Sequence, residues 1–128
     1  MGREEYQRLS GVILDAAIAV HREMGPGLLE AVYHHCLMKE LDLRGIVFKS
    51  NLVVPLVYKG YELNKEYVMD LLIEGEIVVE LKAVEVILPV HEAQIISYLK
   101  LAKKKLGLLI NFNVPLLKNG YRRYVNGY

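Results

Sequence analysis

Residues 66–85 read Glu66-Tyr-Val-Met-Asp70-Leu-Leu-Ile-Glu-Gly75-Glu-Ile-Val-Val-Glu80-Leu-Lys82-Ala-Val-Glu85. Two β-rich runs flank a Glu-Gly-Glu break, which is the pattern of a hairpin. Asp70, Glu80 and Lys82 stand inside these otherwise apolar strands. Charges there are costly to desolvate unless they are paired, neutralised or bound to a metal.

The register can be tested on the sequence. With Glu74-Gly75 as a two-residue loop, Asp70 opposes Val79 and shares its face with Leu81, while Glu80 and Lys82 point the other way. With Glu74-Gly75-Glu76 as a three-residue loop, Asp70 opposes Glu80 and Val68 opposes Lys82. Opposed residues share a face, and side chains alternate along a strand. One face then carries Val68, Asp70, Leu72, Val78, Glu80 and Lys82. The other carries Tyr67, Met69, Leu71, Ile73, Ile77, Val79, Leu81 and Ala83, with no charge. A slip of one residue would mix charge into the core face, so the longer loop is predicted.

Working outward, residues 3–23 predict an amphipathic helix with Leu9, Val12, Ile13, Ala16, Ala17 and Val20 at helical spacing. Gly25-Pro26-Gly27 breaks it. A second helix is predicted from Leu28 to Leu43, with Gly45 as its stop. Residues 46–58 predict a strand whose Pro55 marks an edge or a bulge. Lys59-Gly60 turns the chain into a short return strand at Tyr61-Glu62-Leu63. After the hairpin, Pro89 ends the second arm and a helix runs from His91 to Lys104. Leu106–Phe112 is apolar on both faces, as a covered parallel strand would be. The passage from hairpin through helix to this strand predicts a right-handed crossover, and Tyr121–Val125 predicts a last strand. The element order is ααβββαβ, an α/β fold around a mixed sheet.

Composition fits this reading. The chain has 128 residues, 53% hydrophobic, and a formal net charge of +1. That length suits one domain, residues 1–128, with a sizeable core. Any nucleic-acid surface must be a local one, since the chain is not basic overall. Cys36 is the one cysteine, which excludes an intrachain disulfide and fits a reducing cytoplasm. No apolar run approaches a membrane span, so no membrane partner is expected.

An Asp and a Glu on adjacent strands can share a divalent cation, and hard cations such as Mg²⁺ prefer oxygen ligands. A Lys two residues past the Glu lies on the same face, where it can orient a water or stabilise charge developing on a phosphate. Asp-x9-Glu-x-Lys therefore suits metal-assisted phosphodiester hydrolysis, against the blander reading of an ion pair on a solvated sheet face. Gln94 and Tyr98 share one face of the following helix and can overhang the site. Glu30 either joins the cluster or merely complements its helix dipole. His34, His35 and His91 read as surface or helix-end residues, His21 as a satisfied, partly buried histidine, and Cys36 as core. Lys100, Lys103, Lys104, Lys105, Arg122 and Arg123 form a candidate basic patch for a phosphate backbone.

At these residues the sequence resembles the PD-(D/E)XK nuclease superfamily. Its signature, an Asp on one strand and Glu-x-Lys on the next, matches Asp70 and Glu80-Leu81-Lys82, although Met69 replaces the Pro. Gln94-Ile-Ile-Ser-Tyr98 resembles the Gln-x-x-x-Tyr motif of the RecB-like branch. Gly27-Leu-Leu-Glu30-Ala-Val-Tyr33 resembles the motif of the GxxExxY family. The resemblance spans residues 10–125. It implies a restriction-endonuclease-like αβββαβ core with a mixed central sheet flanked by helices. It implies Mg²⁺ or Mn²⁺ held by Asp70, Glu80 and the backbone carbonyl of Leu81. It makes Glu30 a further metal or water-positioning carboxylate. Lys82 would help activate the attacking water, with Gln94 and Tyr98 orienting Lys82 or the DNA. Cleavage would leave a 5′-phosphate.

The expectation is a metal-dependent nuclease acting on nucleic acid, DNA first. The alternative is a catalytically silent nucleic-acid-binding or protein-interaction module on the same fold. So small a domain has little surface for choosing a target, which points to a homodimer or a larger protein partner.

Overall fold

The hairpin at residues 66–85 lies at the middle of a five-stranded mixed sheet with strand order β1-β2-β3-β4-β5. The structure, a computed structural model, describes residues 1–127; Tyr128, the last residue of the expected domain, lies outside the described residues. Two helices come first, α1 (Arg3–Met24) and α2 (Glu30–Leu43). Strands β1 (Phe48–Tyr58), β2 (Tyr61–Ile73) and β3 (Ile77–Lys82) form an antiparallel meander. Helix α3 (Pro89–Ala102) crosses to β4 (Leu106–Asn111), which runs parallel to β3. A short 3₁₀ turn (Leu117–Gly120) leads to the antiparallel edge strand β5 (Tyr121–Val125). This is the restriction-endonuclease-like architecture expected from the sequence.

The sheet lies between two apolar layers. Ile13, Ala16, Ala17 and Val20 of α1 and Tyr33, Leu37 and Leu41 of α2 pack on Leu71, Ile73, Ile77, Val79 and Leu81 and on Leu106, Leu108 and Ile110. The opposite face presents Leu72, Val78 and Leu109 to Ile95, Tyr98 and Leu99 of α3. Gly107 lets α3 approach this closely, because a Cβ there would stand 3.0 Å from Ile95.

The three-residue loop is present: Ile73 pairs with Ile77, Leu72 with Val78, and Leu71 with Val79. Strict alternation does not continue past Asp70, however. Leu71 and Ile73 face α1 and α2, but Met69 and Tyr67 join the cluster under α3. Asn51, between the Ser50–Leu71 and Leu52–Met69 pairs, has φ +53°. A left-handed residue turns the ribbon locally, so both strands change layers at Asn51 and Asp70.

Other boundaries differ from expectation for local reasons. Pro89 opens α3 rather than ending β3, since a ring with no N–H costs nothing in the first helical turn. Strand β3 stops at Lys82, and β2 is one long strand rather than a short return and a hairpin arm. Its distal part has an irregularity opposite Pro55 and Val57, where Asn64 takes φ +55°. Pro55 therefore lies on an edge strand and beside a bulge, both of which its sequence signal allowed. No described helix is long and apolar enough to cross a membrane.

Candidate functional site

The β2–β3 ladder ends at Leu71 and Val79, and side chains take over from it. Asp70 Oδ2 accepts a 2.7 Å hydrogen bond from the Leu81 amide, and Glu80 Oε1 accepts a 3.3 Å bond from the Asp70 amide. Each carboxylate thus reaches across to the other's strand. Reciprocal bonds of this kind hold two acids together that would otherwise repel.

Glu80 is 6% exposed. Burial first, and then the charge of Asp70, push its carboxyl up to about 9. Lys82 opposes that rise, without cancelling it. Lys82 Nζ lies 4.0 Å from Glu30 Oε1, the side chains being 21% and 49% exposed. Partial burial, followed by Asp70 as the largest like charge, also raises the Glu30 carboxyl, while Lys82, His34 and His91 pull it down.

Glu30 is the first residue of α2, and the loop before it is clamped. Gly27 supplies φ +94°, a conformation costly for a residue with a side chain. The Tyr33 hydroxyl donates to the Gly25 carbonyl at 2.5 Å and accepts from the Leu28 amide at 3.1 Å. Its buried ring stacks on Phe112 with centroids 4.6 Å apart. The spacing Gly27-x-x-Glu30-x-x-Tyr33 therefore has a mechanical meaning: glycine turns the loop, tyrosine ties it, and Glu30 is set between them.

Tyr98 is buried against the same carboxylates. Burial first, then Glu80, raises its hydroxyl, and its ring meets Tyr67 edge-on at 4.7 Å. Gln94 is exposed on α3, four residues before the buried Tyr98.

Two residues, His34 and Asn111, gain a place that sequence reasoning did not give them, and His91 is the helix-end residue expected of it. His34 Nε2 lies 3.0 Å from Ser50 Oγ, bridging α2 to β1. His91 Nδ1 accepts from the Leu88 amide at 3.0 Å and caps α3. Spacing held both signals: His34 is four residues after Glu30, and His91 lies three before Gln94 and seven before Tyr98. Asn111 left no such trace. It is 2% exposed. Its Oδ1 accepts from the Val84 and Asn113 amides at 3.0 and 3.2 Å, and its Nδ2 donates to the Val84 carbonyl at 2.8 Å. A primary amide carries the donor and acceptor of a peptide unit. Asn111 uses them to continue the β3–β4 ladder just beyond the Lys82–Asn111 pair, holding the strand end that carries Lys82. A Cβ on Gly120 would stand 2.1 Å from the Asn111 carbonyl oxygen, so Asn111 is backed directly by main chain.

Among the described residues, no three His, Cys, Asp or Glu side chains are gathered so as to hold a metal ion between them. The acids that stand together are Asp70 and Glu80, while Glu30 is set against Lys82. Mg²⁺ usually keeps several waters and needs only one or two carboxylates, so this pair fits it. Glu80, held protonated by burial and by Asp70, would become an anionic ligand once a dication took the place of its proton.

Two cations of the expected basic patch are engaged within the fold. Lys104 Nζ donates to the Gly75 carbonyl at 2.9 Å, at the end of the sheet opposite Lys82. Arg122 pairs with Glu92 at 2.8 Å. His21 is satisfied as expected, with Nε2 2.8 Å from the Val114 carbonyl oxygen. Cys36 packs partly buried against the core.

A family model describing the PD-(D/E)XK nuclease superfamily matches residues 7–124. No curated protein and no solved structure gives a match.

Proposed function

The chain belongs to the PD-(D/E)XK nuclease superfamily, and we propose on that premise that it is a divalent-metal-dependent nuclease hydrolysing phosphodiester bonds of DNA. Within the superfamily we assign it to the GxxExxY branch, on Gly27, Glu30 and Tyr33. The observation that carries the reading is the buried Asp70–Glu80 pair with Lys82 at the end of the same strand.

Asp70, Glu80 and the Leu81 carbonyl are the groups that would hold Mg²⁺ or Mn²⁺. Such an ion, when bound, polarises the phosphate and acidifies water. Glu80 must give up its proton to serve, so ion binding and proton release are coupled. Lys82 is a fixed cation whose ammonium donates hydrogen bonds. It orients the attacking water and stabilises negative charge as it develops on the phosphate oxygens. Glu30 holds that ammonium from the far side at 4.0 Å. Tyr98, edge-on to Tyr67, stands close enough to Glu80 to feel its charge and belongs to the buried cluster on this side of the sheet. The product would carry a 5′-phosphate.

The test is a cleavage screen of single- and double-stranded DNA and RNA with Mg²⁺ and Mn²⁺, run beside Asp70→Ala and Lys82→Ala. Each variant should lose roughly 10²-fold or more in rate with its fold intact. Cleavage persisting at wild-type rate in both would sink the proposal.

A further inference from the structure

A groove of about 620 Å³ opens between the end of α1 and the segment after β4. Its lining includes Ile18, Pro26, Pro115 and Leu116, with Arg22 and Lys118 as its cations. Leu116 is 58% exposed, and Arg22 and Lys118 are exposed as well. Among the described residues, neither cation has an ion-pair partner. The walls are firm: His21 Nε2 is bonded to the Val114 carbonyl next to Pro115, and Tyr33 ties Gly25.

Both walls of the groove continue along the chain into the site already described. One wall, Gly25-Pro26, begins the loop that ends at Glu30. The other follows Asn111, which pairs with Lys82. Its volume lies within the range typical of small-ligand clefts. An apolar floor with two free cations matches a ligand that has a flat apolar face and a phosphate. A protein partner's apolar surface would leave both cations unsatisfied.

We propose that this groove binds an unpaired nucleotide of the substrate strand, its base on the Pro26–Pro115–Leu116 floor and its phosphate between Arg22 and Lys118. The inference deepens the nuclease reading by naming the strand form: single-stranded DNA or an overhang, since a paired base cannot offer its face to the floor.

The experiment is fluorescence-anisotropy binding of a labelled single-stranded oligonucleotide and of a blunt duplex, over a salt series with Mg²⁺. Lys82→Ala serves as a common background to suppress turnover. On the single strand, Arg22→Ala and Lys118→Ala should each weaken binding roughly 3- to 10-fold. Each should also shrink the slope of log K against log salt by roughly 0.7. Leu116→Ala should weaken binding a few-fold and leave the slope alone. Lys103→Ala and Lys105→Ala, at the far end of the sheet, should change neither quantity. Duplex binding should be insensitive to Leu116→Ala. Unchanged affinity and slope in both Arg22→Ala and Lys118→Ala would overturn the groove, whether or not the protein cleaves DNA. Equal losses from Lys103→Ala and Lys105→Ala would also overturn it, as a general charge effect. Groove-dependent binding with no cleavage under any metal would uphold the groove and remove the catalytic reading. Absence of nucleic-acid binding would remove both.

Discussion

Glu80 concentrates the chemistry of the site in one protonation step. In the unfolded chain a glutamate ionises near 4.5, whereas here burial and Asp70 push it to about 9. The folded protein therefore holds an extra proton between these values. By linkage its contribution to stability is full below 4.5 and is lost as pH rises toward 9. The Tm of metal-free protein, followed from pH 5 to pH 9 in EDTA, should fall along this window, and Glu80→Gln should flatten the fall. Calorimetry of Mg²⁺ binding near neutral pH, in buffers of different ionisation enthalpy, should show about one proton released, and none in Glu80→Gln. Asn111 acts by shape instead. Asn111→Ala would leave half-buried main-chain groups of Val84 without their partner, at a cost on the order of 1–2 kcal/mol. It should also slow cleavage through Lys82. Asn126→Ala is the comparator, since it removes a single side-chain bond to the Lys104 carbonyl at the other end of the sheet. It should lower Tm without touching the rate. A rate loss in both variants, or in neither, would remove the positioning role.

At the scale of elements, the sequence was readable where a periodic pattern met a single environment. The charge-free set from Leu71 to Leu81 predicted the loop length, and the two-sided apolar run at Leu106 predicted the parallel strand. Reading stopped where one residue left the pattern. Nothing in Asn51 as a letter requires φ +53°, so the change of layers at Asp70 was invisible. Pro89 was misjudged because a proline both ends strands and opens helices. Asn111 passed unnoticed inside an apolar strand, because two of its three bonds go to Val84, which only the fold brings near. Tyr33 is the counter-case, for its motif spacing was legible while its mechanics were not. Tyr33→Phe keeps the stacked ring and removes two hydrogen bonds, so it should cost about 1–3 kcal/mol in denaturant unfolding. It should also raise the mobility of residues 25–29. A variant as stable as wild type would mean that the loop stands without its clamp.

For the whole molecule, the chemistry gathers at one end of the sheet. The carboxyl end of β3 carries Lys82, while the Glu74–Glu76 turn and Lys104 close the other end. Strands β3 and β4 are short and covered on both faces, whereas β2 runs well beyond them as a two-stranded ribbon with β1. Ribbons of two strands are only marginally stable by themselves. Native-state hydrogen exchange should therefore divide the sheet, with amides of 77–80 and 106–111 opening only on global unfolding and those near Asn64 exchanging far sooner. The Leu81 amide, bonded to Asp70 across the boundary, would report how often the site itself comes apart. If its exchange tracks the ribbon rather than the centre of the sheet, fraying of the ribbon is a built-in way for a strand of substrate to reach two buried acids.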